Sequence, residues 1–366
     1  MDERGAALPA AGADGAPDIR RSPVSTSAAY APSHLNGVVD AIRRSSVPAP
    51  LIYAAIWILF VGIEMAVKVA DGTIGDVRII HVMLPTYAML VLPSVHFFAD
   101  DAARALTAAR PLLTLSDAEV EAYRRALTVL PAGRTAIAAV AGLVALAVLT
   151  LIQPRDTFAV LGTMTSPLAS AVEWTWQVLL WAGVGMTVFL IARQMAIVVR
   201  LTTRHTRIDL FALGPIYAYS RLTAAHAIFT AGVVVVASLA LSRLAGTLQW
   251  NFLSAAALLM AGAAFVLPLW GAYRLIASEK RRQEDRLGRT IQRLMDQLRD
   301  RAEQSELNGV GDFKTALEGI VVSREQVRAI SGWPWRPETL GGVLSALLAP
   351  LLIWLITRGL EAFLRA

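Results

Sequence analysis

The chain has 366 residues, of which 55% are apolar and only 17% charged, and its mean hydropathy is positive. This composition excludes most soluble enzymes and indicates an all-α protein of the lipid bilayer. The net charge of +6 is compatible with nucleic-acid binding. Basic cytoplasmic loops, however, give membrane proteins a similar excess of positive charge, so we expect no nucleic-acid partner. The absence of cysteine excludes disulfides, thiolate metal sites and cysteine nucleophiles.

Residues 1–49 are rich in Ala, Pro, Ser and Gly, which predicts a largely disordered arm with a short amphipathic stretch near Val38 to Arg44. We expect no cleavable signal, because the first apolar segment is long enough to cross a membrane. Seven segments of roughly 17 to 25 residues are predicted to cross the bilayer. They are Leu51 to Ala70, Ile79 to Phe98 (interrupted by Pro85 and Pro93), Thr135 to Ile152, Ala169 to Ala192, Leu222 to Ser242, Asn251 to Tyr273 and the short Gly341 to Thr357.

Lysine and arginine are distributed very unequally between the two sides of these spans. If all seven cross, 28 of the 34 basic residues fall on the side of the N-terminus and six on the other. Positive charge favours the cytoplasm, so we expect a multi-pass protein of the cell membrane with its N-terminus inside and its C-terminus outside. The predicted parts are a cytoplasmic arm (1–49), six spans (50–273), a cytoplasmic helical hairpin (274–340) and the last span with a short external tail (341–366).

The predicted hairpin begins where the sixth span continues into the cytoplasm as one helix ending near Glu306. Asp312 is a plausible N-cap for the second helix of the hairpin. An apolar stripe on the first helix is expected to pack on the second helix or on a neighbouring subunit. These assembly candidates are Leu287, Ile291, Leu294 and Leu298.

The segment Gly332 to Thr339, with two tryptophans, two prolines and an arginine, suits the headgroup layer. It is interpreted either as an interfacial anchor or as a hinge that transmits movement of the hairpin to the last span. That span begins with Gly341, Gly342 and Ser345, small residues that let helices approach closely.

Ionisable residues inside the membrane are costly and are therefore functional candidates. Glu64 and Lys68 are four residues apart, so they either neutralise each other on one helix face or form a proton or cation site. Glu173 is accompanied by Trp174, Trp176 and Gln177.

The group around Glu173 is either an aromatic belt with a carboxylate or an outward-facing pocket for a cation or an amphipathic small molecule. His81 and Glu64 lie near the same side and complete the ligand-pocket candidates. His96 and His226 lie near the inner side as a proton-sensitive pair or as interfacial hydrogen-bonding residues. Motifs for catalysis, metal binding or phosphate binding are missing, so we expect no enzyme, no metal and no cofactor.

The combination of seven spans, an internal N-terminus, a sixth helix extended into the cytoplasm and a short last span (GGVLSALLAPLLIWLIT) resembles the seven-transmembrane ion channels of the insect odorant and gustatory receptor superfamily. The resemblance implies a tetramer anchored by Arg274 to Ile330, with Gly341 to Thr357 as the pore helix. The Thr-Tyr start and Gln-Phe end of gustatory members are absent from this helix. The implied pore-lining candidates are Gly341, Gly342, Ser345, Leu348, Leu352 and Thr357.

The leading hypothesis is therefore a channel-like homo-oligomer that conducts cations in response to a ligand. The alternatives are a non-conducting scaffold or signalling protein whose hairpin binds a partner, and a secondary transporter. The sequence leaves the ion, the ligand and the gating stimulus open.

Overall fold

The computed structural model describes residues 31–152, 166–240, 248–304 and 310–365, and these ranges contain eleven α-helices. Their bounds are α1 His34–Arg44, α2 Ala49–Ala70, α3 Ile79–Met89, α4 Val91–Ala109, α5 Asp117–Thr128, α6 Ala132–Ile152, α7 Pro167–Arg204, α8 Gly214–Ala240, α9 Leu248–Glu303, α10 Val310–Ala329 and α11 Pro337–Arg365. Extended pairing within the described ranges is limited to two isolated bridges. The all-α prediction is confirmed.

Five of the described helices are long and apolar enough to cross a membrane: α2, α6, α7, α8 and α9. The pair α3 and α4 makes a sixth if its two bent halves count as one span. The apolar segment Pro337–Ile353 of α11 is shorter than these helices, within the range of 10–17 residues. The structure thus supports a protein with five or six candidate membrane spans, each corresponding to a segment predicted from the sequence.

The second predicted span is broken between α3 and α4, which meet at Leu90 with a bend of 44°. Pro85 lies inside α3, where it removes one backbone hydrogen bond. Pro93 lies in the first turn of α4, where a backbone N–H would have no partner within the helix. The two prolines therefore explain why the chain does not continue as one straight helix.

The largest hydrophobic core lies where α4, α5, α7, α8 and α9 meet. The segments 99–134 and 193–221, which lie between predicted spans, are helical for much of their length, because α4 continues to Ala109, α5 follows it, and α7 continues to Arg204. The core has representatives from all five helices that are at most 2% exposed: Leu106, Leu127, Leu201, Leu222 and Leu269. A compact helical layer therefore joins one end of the candidate spans.

Helix α1 lies within the predicted arm, at the stretch where an amphipathic segment was expected. The Asn36 side chain fixes it to the connection between α5 and α6. Its Nδ2 donates to the carbonyl of Thr128 at 3.2 Å, and its Oδ1 accepts from the backbone N–H of Leu130 at 2.8 Å. Val39 is buried beside Phe98, so α1 is part of the folded body.

Helix α10 runs antiparallel to the C-terminal half of α9. The Lys280 ammonium donates to the carbonyl oxygens of Arg328 and Ile330 at 2.7 and 2.8 Å, at the C-terminal end of α10. At the other end, Arg301 lies over the ring of Phe313 at 4.9 Å. The apolar stripe on α9, Leu287, Ile291, Leu294 and Leu298, is half-buried. Asp312 lies in the first turn of α10 and not at its N-cap, because the helix already begins at Val310.

Between α10 and α11, the two tryptophans of the predicted headgroup segment join an aromatic group on α9. Trp333 contacts Tyr273 and Trp335, each with ring centroids 5.7 Å apart, and Trp335 contacts Phe265 at 5.5 Å. Pro337 then begins α11. These contacts attach the segment to α9, and both the anchor and the hinge interpretations stay predictions.

Candidate functional site

Three ionisable residues that the sequence nominated separately lie together between α2, α3 and α7. One potential ligand atom each from Glu64, His81 and Glu173 falls within 4.8 Å of the other two. These residues are only 2%, 1% and 3% exposed. We call this group, together with Lys68, the outer cluster, after the side on which the sequence analysis places it.

The ends of three helices bring the outer cluster together. Glu64 lies six residues before the end of α2, His81 lies in the first turn of α3, and Glu173 lies in the second turn of α7. The short connection from α2 to α3 turns at Gly72, whose φ of +67° favours glycine. The Ser166 hydroxyl donates to Asp71 Oδ2 at 2.5 Å and so ties the start of α7 to the end of α2.

Hydrogen bonds set the orientation of two members of the cluster. The indole Nε1–H of Trp176 donates to Glu64 Oε2 at 3.0 Å. The backbone N–H of Arg78 donates to His81 Nδ1 at 2.9 Å. A neutral His81 therefore carries its hydrogen on Nε2, and this buried Nε2 has no hydrogen-bond partner among the residues described.

Lys68 brings a positive charge to the cluster. It is one turn from Glu64, only 1% exposed, and its charge acts on both Glu64 and His81. With both carboxylates ionised, Lys68 charged and His81 neutral, the formal charge of these four buried side chains is one negative; the exposed Arg78 beside His81 adds a positive charge that solvent screens. Because a net charge away from water is costly, the cluster gains stability when it takes up one proton or one monovalent cation.

Two carboxylates and an imidazole are also a donor set that suits a divalent transition metal. Two observations oppose this use. A metal-ligating histidine usually donates its other ring N–H to an acceptor, whereas His81 Nδ1 faces a backbone N–H donor. The Lys68 ammonium in the same cluster also repels a cation of higher charge. The site therefore fits a proton better than a metal ion.

The remaining ligand-pocket candidates divide between the protein interior and its surface. Trp176 is 4% exposed and packs against Phe60 with ring centroids 4.9 Å apart and 35° between the ring planes, whereas Trp174 is exposed and Gln177 half-buried. Of these three neighbours of Glu173 in sequence, only Trp176 is buried, and both the belt and the pocket interpretations stay predictions. The sequence did not predict the bond from Trp176 to Glu64, since the residues are 112 positions apart.

The two inner histidines have separate partners. His96 is bonded to the Tyr53 hydroxyl at 2.8 Å and lies 3.3 Å from Asp100. His226 is bonded to Gln194, which the sequence analysis did not single out, at 2.8 Å. An amide side chain within an apolar helix was the available signal for Gln194.

An apolar crevice of about 160 Å³ lies beside the break between α3 and α4, against α7 and α8. Tyr87, Thr187 and Thr230 are the polar residues among its lining. Gly183 on its wall lies ten residues after Glu173, or about 15 Å further along α7 at 1.5 Å per residue. The crevice is therefore near the middle of the predicted bilayer.

The predicted pore face of α11 is left uncovered by the rest of the described chain. Gly341, Ser345, Leu348 and Leu352 are exposed on one face, and the opposite face is buried at Val343. Gly342 is also exposed, although a Cβ there would meet Ile228 of α8 at 3.9 Å. The Thr357 side chain is outside the described set.

Comparisons of this chain with models of known families, with curated proteins and with solved structures give no match. Function is therefore inferred from the chemistry of the site.

Proposed function

We propose that the protein is a proton-coupled membrane transporter and that the outer cluster binds the coupling proton. The observation that carries this proposal is the burial of Glu64, His81, Glu173 and Lys68 together at the ends of apolar helices. Ionisable residues in such surroundings are expensive to maintain and characterise proton relays in pumps and transporters. The formal charge of minus one on the four buried side chains favours the uptake of one proton.

The crevice supports transport of a second species. Transporters commonly bind solutes near the bilayer midplane, where a helix is discontinuous. Here the break between α3 and α4 lies beside an apolar space of about 160 Å³. That volume is close to the roughly 150 Å³ of an engineered cavity that accepts benzene, so the solute is expected to be small and largely apolar.

Proton binding at the cluster is tested by infrared titration of the protein in lipid nanodiscs. A protonated carboxyl band should disappear as the pH rises, and Glu173→Gln should remove part of that change. Glu121→Gln is the matched control, because Glu121 is an exposed carboxylate on α5 paired with Arg124. An unchanged titration in Glu173→Gln would refute the proton site. If Zn²⁺ or Mn²⁺ raised the thermal stability of the wild type but not that of Glu173→Gln, the cluster would instead be a metal-binding site.

Coupling is tested in liposomes that contain a pH-sensitive dye. Small apolar and amphipathic solutes from a panel should drive proton movement in the wild type and in Glu121→Gln, but not in Glu173→Gln. Solute-driven proton movement that persists in Glu173→Gln would contradict the proposed coupling.

The proposal includes the predicted topology: α3 and α4 form one span, α11 forms the seventh, and the N-terminus is cytoplasmic. The cysteine-free chain allows a direct test. A membrane-impermeant maleimide should label Gly75→Cys in intact cells and Glu318→Cys only after permeabilisation, since both positions are exposed. The reverse pattern would place the outer cluster on the cytoplasmic side.

A second candidate function is the oligomeric channel, which the uncovered face of α11 favours. Its signature would be an oligomer with a steady ion conductance that needs no solute and that Ser345→Trp blocks. Leu344→Trp, an exposed neighbour on a different side of the helix, is the control. If the protein shows neither conductance nor a titrating cluster, the non-conducting scaffold is the remaining interpretation.

A further inference from the structure

A second buried polar network lies far along α7 from the outer cluster. Its first member, Gln194, follows Glu173 by 21 residues, which is about 32 Å of helix. That distance is close to the thickness of the hydrocarbon core, roughly 30 Å. Gln194 and His226, on α8, are both 0% exposed, so the network is shielded from solvent.

The orientation of the Gln194 amide is fixed by two backbone carbonyl groups. Its Nε2 donates to the carbonyl of Phe98 at 3.2 Å and to that of Leu127 at 2.9 Å. Rotating the amide by half a turn would place its oxygen against both carbonyl oxygens, which can only accept. Gln194 Oε1 must therefore face His226, as an acceptor.

Both ring nitrogens of His226 consequently face acceptors. Nε2 is 2.8 Å from Gln194 Oε1, and Nδ1 is 2.7 Å from the carbonyl oxygen of Leu222. A neutral imidazole has one N–H and can satisfy only one of these contacts, whereas an imidazolium satisfies both. The network is complete only when His226 carries a second proton.

A nearby carboxylate favours the second proton on His226 electrostatically. On α4, Asp101 is buried and acts electrostatically on His226, and its Oδ1 lies 3.3 Å from Arg104 and 3.4 Å from Arg221. The Phe98 ring stacks on the imidazole with centroids 4.1 Å apart and 14° between planes, which suits a cation.

The groups that hydrogen-bond to His226 and Gln194 carry no charge. From α5 the network receives only the Leu127 carbonyl, and from α7 the neutral Gln194. From α9 and α11 the shared core contributes Phe265 and Val343. The desolvation cost of a buried cation opposes these favourable contacts, so the proton is bound reversibly.

We infer that His226 is a second proton-binding site, at the inner end of helices that border the crevice, among them α4, α7 and α8. Its transport role rests on the proposed function, and its protonation does not. The proton binds to whichever of Nε2 and Nδ1 lacks one and leaves by breaking the same N–H bond, while the carboxylate of Asp101 favours the charged ring electrostatically. Outer cluster and inner site then bracket the crevice.

The experiment is nitrogen NMR of protein labelled with ¹⁵N-histidine in lipid nanodiscs. The chain has five histidines, and the His226 signal is assigned by its loss in His226→Gln or, if that variant does not fold, by replacing the other four. His226 should change from imidazolium to one neutral tautomer between about pH 3 and 8, a range that extends below the usual histidine range because burial penalises the charged form. Asp101→Asn should move the midpoint to lower pH, because it removes the nearby negative charge.

Asp100→Asn is the matched control, since Asp100 is the adjacent carboxylate and pairs instead with Arg43 and His96. A single neutral tautomer throughout this pH range, or equal shifts in the two aspartate variants, would overturn the inference. If His226 titrates while Glu173→Gln leaves the carboxyl titration unchanged, the inner site stands and the proposed outer site falls. The opposite pair of results removes only the inner site.

Discussion

Helices α6 and α7 approach so closely that glycine is required at their crossing. A Cβ placed on Gly142 would lie 1.9 Å from the carbonyl oxygen of Trp181, and one on Gly185 would lie 2.1 Å from that of Ala138. Ordinary contact begins at 3.4 Å, so the Gly142→Ala variant requires a separation of about 1.5 Å between the helices. Gaps of roughly 0.5 to 1 Å already remove a quarter to a half of the dispersion energy of the atoms involved.

Because α6 packs chiefly on α7, this loss has little compensation elsewhere. In lipid, close packing of small residues is a main source of helix association. We expect Gly142→Ala to lower the free energy of unfolding by about 1–3 kcal/mol, the usual cost of overpacking. The measurement is equilibrium unfolding in mixed micelles. Gly133→Ala on the same helix is the control, since its Cβ would meet nothing within 4 Å. Equal midpoints for the two variants would refute the close crossing.

Two further predictions concern contacts outside the candidate spans. Lys280→Met should destabilise the C-terminal end of α10 by about 1.5–3 kcal/mol, because the ammonium donates to two carbonyl groups there. Hydrogen exchange of the backbone amides in that helix should become faster. Lys314→Met, which changes an exposed lysine, is the control and should have no such effect. Asn36→Ala should detach α1, since it removes the hydrogen bonds to the α5–α6 connection, and limited proteolysis near α1 should become faster. His34→Ala, which changes an exposed residue of the same helix, is the control. Equal cleavage of the two variants would contradict this role of Asn36.

The elements that the sequence predicted well are those with a strong local signal. Each of the six candidate spans contains a long apolar run, and the break near Pro85 was visible as proline in such a run. The helical extensions of α4 and α7 were missed as helices because charged residues near their ends, such as Asp100 and Asp101 in α4 and Arg193 and Arg200 in α7, lower the hydropathy that marks a span. Their burial depends on five helices meeting in one core, which no single window of sequence contains.

The outer cluster shows the same limit at the level of a site. The spacing of Glu64 and Lys68 suggested one helix face, and both are buried near each other. The direct hydrogen bond to Glu64 nevertheless comes from Trp176 on α7. The sequence could nominate Glu64, His81 and Glu173 one by one, but their convergence depends on the Gly72 turn and the Ser166 contact with Asp71.

Helix α7 links all the features on which the proposed function depends. It carries Glu173 of the outer cluster, Gly183 on the crevice wall and Gln194 of the inner network, in that order along about 32 Å. Its close crossing with α6 at Gly185 fixes one side of it, and α3, α4 and α8 contact the other features. A change of protonation at either end alters the hydrogen bonds or charge that hold α7 against its neighbours. A shift of this helix is therefore the simplest physical means by which a proton could open the crevice to one side of the membrane or the other.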